Sequence, residues 1–449
     1  MNKDICCIGA GYIGGPTMAV IALKNPGRKV WVTDVNAARI AAWNSDHLPV
    51  YEPGLEKIVK KVRGKNLFFT TDVESCIKKC DMIFVGVNTP TKTFGRGAGR
   101  ASDLQHWEAC ARTIAAAANR DKIVVEKSTL PVRTAEALKK VLEVHPEHTF
   151  TVLSNPEFLA EGSAINDLLN PDRVLIGGPT DAAGARAVKA LCAVYASWVP
   201  KAKIITTNLW SSELSKLAAN AMLAQRVSSV NALSSLCEAT GADIEEVARV
   251  MGLDSRIGPK FLKAGPGFGG SCFKKDVLNL VYLCESYGLQ PAADYWNQVI
   301  LMNEWQQTRI VNRMVDAMFQ TLSNKRVAVF GYAFKANTGD VRETPAKNVI
   351  EMLLEERAQV VVTDPKALDN ARRDFGDGTV AFAETPDEAA KDADAVVLMT
   401  DWAQYPRLDW RKIKRLMKAP AFVFDARNCL DHERLKKLGF RVLAVGKSE

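Results

Sequence analysis

Cys272 stands in the run Gly265-Pro266-Gly267-Phe268-Gly269-Gly270-Ser271-Cys272-Phe273-Lys274-Lys275-Asp276. Four glycines in six residues free this backbone to wrap a ligand, and a helical pattern, DVLNLVYLCESYG, starts directly after it. A thiol near a helix N-terminus and beside two lysines is expected to ionise readily, and thiolate is the nucleophilic form. Asp276, four residues on, would share a helical face with it. The other nine cysteines read as small buried hydrophobes, Cys237 and Cys284 on apolar helical stretches among them. Lys216 and Asn220 are spaced i, i+4 on another helical run, where Lys216 is the only charge between Glu213 and Arg226. Its neighbours Leu214, Leu217, Ala218 and Ala219 are apolar, and a lysine in such company needs a partner or a function.

A second constellation serves binding. Gly9-Ala10-Gly11-Tyr12-Ile13-Gly14 follows the apolar run ICCI and precedes a helix beginning near Ile13. In a G-x-G-x-x-G so placed, the first glycine makes the tight turn and the second lets the backbone approach a pyrophosphate. The third packs helix on strand, and the helix N-terminus offers N–H groups. Asp34 closes the next strand pattern, KVWVTD, 25 residues after Gly9. A carboxylate there accepts hydrogen bonds from ribose hydroxyls and repels a 2′-phosphate, so NAD is expected over NADP. Three more loops leave strand ends carrying polar groups: Asn88-Thr89-Pro90-Thr91, Ser128-Thr129 and Asn155-Pro156-Glu157.

The elements that must hold these residues follow from the apolar pattern. ICCIGA, KVWVTD, MIFVGV, KIVVEKS, FTVLSN and RVLIGG alternate with helical stretches, which implies a parallel sheet with crossover helices. Ser211 to Gly241 has no proline and no internal glycine and is apolar on most of its circumference, so it is expected in a core or a subunit interface. From Lys325 onward RVAVFG, QVVVTD, DAVVLMT and AFVFD restore the alternation. The expected fold is α/β, with two Rossmann-like doubly wound domains joined by a helical central domain with a long helix. The boundaries read 1–208, 209–323 and 324–449. In the last domain Phe334-Lys335, Arg342 and Arg427 follow strand ends, where cations suit a phosphorylated or carboxylated ligand.

Composition narrows the classes. With 449 residues, 47% hydrophobic and 24% charged, the chain is neither disordered nor a disulfide-stapled miniature. A net charge of +8 without a dense basic run argues against nucleic acid; the most basic stretch, Arg411 to Lys418, reads as one solvated helix face. Ten sparse cysteines suit a reducing cytoplasm. Five scattered histidines, with only His145 and His148 close together, make no metal site. Ile5 to Leu23 is 19 residues without a charge, but its glycines and Pro16 fit a strand, turn and helix better than a membrane span.

Taken with GAGYIGGPT, VNTPTKT, EKSTLPV, LSNPEFLAEG, ELSKLAANA, GFGGSCF and PAFVFDARN, the chain closely resembles the UDP-glucose/GDP-mannose dehydrogenase family over essentially its whole length, in the form of the eukaryotic UDP-glucose 6-dehydrogenases. The resemblance implies a four-electron oxidation of UDP-glucose to UDP-glucuronate by two NAD⁺. Cys272 would capture the aldehyde as a thiohemiacetal and pass through a thioester. It implies that Lys216 stabilises an oxyanion or shuttles a proton, that Asp276 and Thr129 hold a water, that Glu157 acts as acid–base, and that Asn220 completes the set. Cofactor positions implied are Gly9, Ala10, Gly11, Tyr12, Ile13, Gly14, Asp34, Arg39, Val87, Asn88, Thr89, Pro90, Thr91, Ser128, Thr129, Leu130, Glu161 and Arg342. Substrate positions are Glu157, Phe158, Leu159, Ala160, Glu161, Lys216, Asn220, Arg256, Phe261, Leu262, Lys263, Gly267, Phe334, Lys335 and Arg427. A homodimer or higher homo-oligomer is expected, with no nucleic-acid or membrane partner. The loop departs from the family in reading AGPGFGG, with Lys274 before Lys275. A relative acting on GDP-mannose or a UDP-N-acetylhexosamine, and a catalytically silent nucleotide-sugar-binding scaffold, are the alternatives; the intact Cys272, Lys216 and Glu157 speak against the scaffold.

Overall fold

The computed structural model of the chain describes residues 4–144, 147–376 and 378–448, which leaves His145 outside the described residues. It divides into two compact units, Met1–Ala219 and Asn220–Glu449, and the division falls within one long helix, Leu209–Thr240.

In the first unit eight strands form one sheet: β1 (Ile5–Ile8), β2 (Val30–Thr33), β3 (Leu67–Thr70), β4 (Met82–Val85), β5 (Lys122–Glu126), β6 (Phe150–Ser154), β7 (Val174–Gly178) and β8 (Ile204–Asn208). Their order is β3-β2-β1-β4-β5-β6-β7-β8, so the winding reverses between β1 and β4. Every residue of β1, β4 and β5 is buried, because helices cover both faces of the sheet; their apolar runs therefore do not alternate. Along β1, Ile5 and Cys7 enter the core on one face, and Cys6 and Ile8 the core on the other. The adjacent thiols thus point apart, and none of the ten cysteines is in a disulfide.

Six of these strands are the expected ones. β3 and β8 are additional, and both are sheet edges. The sheet also departs from all-parallel pairing, because β6 and β7 meet antiparallel through the single pair Ser154↔Gly177. The connection between them, 155–173, is mostly irregular and holds only a six-residue helix, Ala164–Leu169, instead of a full crossover.

The second unit begins with the remaining turns of the long helix and continues with helices Ile244–Leu253, Phe273–Ser286 and Gln290–Ala317. Val277, Leu280, Val299 and Ile300 from the last two share a core with Ala221, Ala224 and Phe268. Then come β9 (Arg326–Phe330), β10 (Gln359–Thr363), β11 (Val380–Phe382), β12 (Ala395–Leu398), β13 (Phe422–Asp425) and β14 (Arg441–Ala444), in the order β11-β10-β9-β12-β13-β14. All their pairings are parallel. The architecture is α/β, two doubly wound sheets with a helical segment between them in sequence.

The basic run Arg411–Lys418 lies mostly on the helix Trp410–Leu416, which buries Trp410 and Ile413 and turns Arg411, Lys412 and Arg415 to solvent. Ile5–Leu23 is a strand, a turn and a helix, and among the described residues no helix is long and apolar enough to cross a membrane. The long helix buries Leu217, Ala221, Ala224 and Val230 but leaves Trp210, Leu214, Met222 and Leu236 exposed.

Candidate active site

Backbone geometry fixes the glycine turn. Gly9 leaves β1 with φ +106°, and a Cβ there would sit 2.6 Å from the Gly86 carbonyl oxygen. A Cβ on Gly14 would fall 1.9 Å from the Gly9 oxygen, so the helix Gly14–Lys24 packs against the turn as only glycine permits. Around Gly11 there is open space, which leaves its backbone accessible to a ligand. Ala10 donates its N–H to Asp34 Oδ2 at 2.9 Å, Ile13 takes the N-cap position, and Tyr12 is half-buried beside it. Asp34 also accepts from Asn36 N and from Arg39 Nη1, each at 2.9 Å. The loops after β4 and β5 are tied together: Ser128 Oγ donates to the Val87 carbonyl at 2.6 Å and Thr89 Oγ1 to the Thr129 carbonyl at 3.1 Å. Leu130 is buried beneath them, Thr91 bridges to Ser102, and Asn88 and Pro90 complete the loop. A bare helix N-terminus, an accessible Gly11 and a carboxylate at the end of β2 fit a dinucleotide with free ribose hydroxyls. Arg342 belongs to the second unit, where it pairs with Asp340.

The first unit also buries a cluster of charge. Glu157 and Lys216 are 6% and 4% exposed, and Lys216 Nζ lies 3.7 Å from Glu157 Oε1. The same oxygen accepts from Thr129 Oγ1 at 3.3 Å, while Oε2 is buried without a hydrogen-bond partner. Lys216 also stands 5.4 Å from the Phe158 ring centre. Leu159, Ala160 and Glu161 continue the loop, held by Ala160 N donating to Asp167. The partner that an isolated lysine on an apolar helix requires is therefore Glu157.

Neighbouring buried groups escaped the sequence reading. Lys127 Nζ is 3.3 Å from Asn155 Oδ1 and 3.5 Å from the Tyr195 hydroxyl, and burial lowers its pKa to about 8. Glu213 accepts from the N–H groups of Arg133 (2.8 Å) and Ala135 (2.9 Å), yet burial raises its carboxyl to about 7. Burial, with Glu213 nearby, pushes Glu126 well above the usual carboxylate range, and neither of its oxygens has a hydrogen-bond partner. For Glu126 and Lys127 the signal was a charge at the end of the apolar run KIVVEK.

In the second unit the glycine loop is clamped by buried amides. Phe268 N donates to Asn303 Oδ1 at 2.8 Å, Asn303 Nδ2 to the Phe268 carbonyl at 3.1 Å, and Gln306 Nε2 to the Gly265 carbonyl at 2.7 Å. At Gly267, φ is +107° and a Cβ would meet Asn303 Oδ1 at 2.5 Å. Cys272 occupies the N-cap position of the helix Phe273–Ser286, half-buried, with its Sγ 3.5 Å from Ser271 Oγ. Asp276 N donates to the Cys272 carbonyl at 2.9 Å. The Asp276 carboxylate, 1% exposed, accepts from Asn220 Nδ2 at 2.6 Å and lies 3.4 Å from Lys275 Nζ. Both lysines counted beside the thiol are thus paired with carboxylates, since Lys274 reaches Glu343 (3.1 Å) and Glu304 (3.5 Å).

Two expected substrate positions, Phe334 and Arg427, lie against this loop. A Cβ on Gly270 would touch the Phe334 ring at 2.9 Å, and Arg427, its guanidinium perturbed downward by burial, donates to the carbonyls of Phe334 and Met399 at 2.7 Å. Lys335 stands 5.5 Å from the Phe334 ring centre. Leu262 is buried, Lys263 faces Asp401 at 3.6 Å, and Phe261 takes φ +62° with its ring 6.2 Å from Phe273. Arg256 is not gathered: its side chain is 87% exposed and pairs only locally, with Asp254 at 2.6 Å.

These features define an NAD-dependent oxidoreductase with a cysteine at a clamped glycine loop. Models of the UDP-glucose/GDP-mannose dehydrogenase family match in three parts: the NAD binding domain over residues 3–199, the central domain over 210–305 and the UDP binding domain over 328–432. UDP-glucose 6-dehydrogenase 3 of Oryza sativa subsp. japonica and UDP-glucose 6-dehydrogenase 2 of Arabidopsis thaliana are each 56% identical over 99% of this chain and 97% of their own. A UDP-glucose dehydrogenase structure from Pyrobaculum islandicum superposes with a TM-score of 0.88 at 32% identity, covering 100% of this chain and 98% of that one. The chain belongs to the UDP-glucose/GDP-mannose dehydrogenase family.

Proposed function

We propose that the chain oxidises UDP-glucose to UDP-glucuronate through covalent intermediates on Cys272. Bound NAD⁺, one per oxidation, supplies the hydride acceptor. The Cys272 thiolate adds to the C6 aldehyde of the first oxidation, forming a C–S bond, and the resulting alkoxide takes a proton to become a thiohemiacetal. Loss of that proton and of the carbon-bound hydride leaves a thioester. Water then attacks the thioester carbon; a C–O bond forms, the C–S bond breaks and the thiolate returns. Glu157 takes the proton of that water, and the Lys216 ammonium faces the oxyanion.

The observation that carries this reading is a pair of buried polar couples issuing from one helix four residues apart. Lys216 answers Glu157, and Asn220 answers Asp276. An apolar helix retains such groups where chemistry needs them. The three-domain division at 208/209 and 323/324, a cytoplasmic location and a homodimer built on the long helix belong to the same proposal. Exposed Trp210, Leu214, Met222 and Leu236 support the dimer, as does Arg256, which its own chain leaves in solvent. The test is NADH formation with UDP-glucose, GDP-mannose and UDP-N-acetylhexosamines. Two NADH per UDP-glucose and none with the others is expected; turnover of GDP-mannose alone would overturn the substrate, and no turnover with any would favour a binding scaffold.

A further inference from the structure

Lys127 follows β5 directly, its N–H donating to the Val85 carbonyl at 3.0 Å, and its ammonium is buried. Among the described residues no carboxylate lies within ion-pair distance of it. Its polar neighbours are neutral: Asn155 Oδ1 at 3.3 Å and the Tyr195 hydroxyl at 3.5 Å, with the Tyr195 ring centre at 5.9 Å. Tyr195 OH itself donates to Asn155 Oδ1 at 2.6 Å, so that oxygen is shared between phenol and ammonium. A buried cation without an anion is costly, and an apolar side chain of the same length would fill the space without that cost.

The ionisable groups that face Lys127 identify what the charge does. Glu157 comes from the loop after β6, Lys216 from the long helix, Cys7 from β1 and Tyr195 from the helix Ala182–Tyr195. Cys7 is raised to about 12 and Tyr195 well above its ordinary value, mainly by burial, so both stay neutral near pH 8. What remains is one carboxylate, Glu157, which Lys216 meets at 3.7 Å and whose charge opposes the lowering of the Lys127 pKa. We propose that Lys127 is a positioning residue of the active site, a second buried cation that adds to Lys216 in setting the positive potential around Glu157. This rests on the thioester chemistry proposed above, whose oxyanions form beside Lys216.

Burial, reinforced by Lys216 and opposed by Glu157, places the loss of the Lys127 proton at about pH 8. The fold therefore carries a built-in titration within reach of an ordinary assay. The experiment measures kcat and KM between about pH 6.5 and about pH 9.5 for the wild type, Lys127→Met, Lys127→Gln and Lys127→Arg, with melting temperatures to confirm folding. The wild-type kcat is expected to fall through about pH 8. Lys127→Met or Lys127→Gln should lose about tenfold in kcat at neutral pH, keep KM within about twofold, and lack that fall, since a unit charge in a protein interior still acts on a neighbouring charge by about a factor of ten at about 10 Å. Lys127→Arg, charged throughout, should hold the low-pH rate across the range. A folded Met or Gln variant with wild-type kcat and an unchanged fall would overturn the role of Lys127. A wild-type enzyme that makes no NADH from UDP-glucose would instead strike at the proposed function.

Discussion

Replacing Glu157 with glutamine separates the last step of the proposed chemistry from the earlier ones. Glu157 Oε1 is committed to Thr129 at 3.3 Å and to Lys216 at 3.7 Å, so Oε2, buried without a partner, is the oxygen open to a proton from water. In Glu157→Gln an amide keeps one oxygen for Thr129 but puts an NH₂ where the proton must go. Loss of a positioned general base slows the step it serves by about 10²–10⁴, or about 3–5.5 kcal/mol of barrier. The change also leaves the Lys216 ammonium buried without its carboxylate, which costs about 3–5 kcal/mol of stability, so a melting curve accompanies the kinetics. With hydrolysis blocked, mixing with UDP-glucose and NAD⁺ should accumulate a protein adduct of one UDP-glucuronyl group. Intact-protein mass spectrometry would detect it, peptide mapping should place it on the segment containing Cys272, and hydroxylamine should discharge it. Cys272→Ala should form neither adduct nor UDP-glucuronate while binding UDP-glucose and NAD⁺ nearly as before. Substantial UDP-glucuronate from the alanine variant would refute the covalent route, and an adduct on Lys216 would move it to an imine.

Asp34→Ser should weaken NAD⁺ binding by about 1–3 kcal/mol, measured by calorimetry, if Asp34 takes the ribose hydroxyls as expected, since it follows β2 beside the glycine turn and anchors Ala10 N. NADP⁺ serving the wild type as well as NAD⁺ would refute that argument. Sedimentation at micromolar concentration should show a dimer or larger species, since the long helix exposes Trp210, Leu214, Met222 and Leu236; a stable monomer would refute it. Glu213 binds a proton more tightly when folded, near 7 against an ordinary 4.5, so its contribution is fully present below pH 4.5 and is lost as pH rises through 7. That amounts to about 3 kcal/mol, and it should appear as a melting temperature that falls between pH 5 and pH 8. Glu126, raised by burial and by Glu213, takes up a proton on folding in the same way, so Glu126→Gln should flatten that slope; parallel slopes for the two proteins would refute a raised Glu126 carboxyl.

The strands that the apolar pattern did not reveal have one property in common. β3, β8, β11 and β14 are the two edges of each sheet. An inner strand is buried on both faces and is apolar at most positions, as ICCI and MIFV are, whereas an edge strand needs fewer apolar positions. β8 (IITTN) has no buried residue at all, and β11 is only three residues long. A rule built on continuous apolar runs therefore finds the middle of a doubly wound sheet and stops one strand short at each side. The same reasoning explains the antiparallel β6/β7 contact, since the pattern marks both strands but carries no information on whether the chain between them completes a crossover.

The active site divides along a similar line. Residues that act through backbone geometry were visible, because only glycine satisfies Gly9 and Gly267 and because a turn of that kind has few uses. Lys216 and Asn220 were visible as polar groups on an apolar helix, and their spacing already put them one turn apart. What the sequence does not contain is the partner list. Nothing in ELSKLAAN says that the lysine meets Glu157 and the amide meets Asp276, nor that Lys274, read as a charge for the thiol, is occupied by Glu304 and Glu343. Lys127 is the sharpest case, because in KIVVEKS it looks like the polar end of a strand. Only the fold shows that Asn155 and Tyr195 enclose it and that, among the described residues, no carboxylate reaches ion-pair distance, Glu157 acting on it from farther away. The charges that a sequence places at strand ends deserve the question a buried helix lysine receives, namely what neutralises them. When the answer is nothing within reach, the group is either neutral near physiological pH or retained for the field it makes.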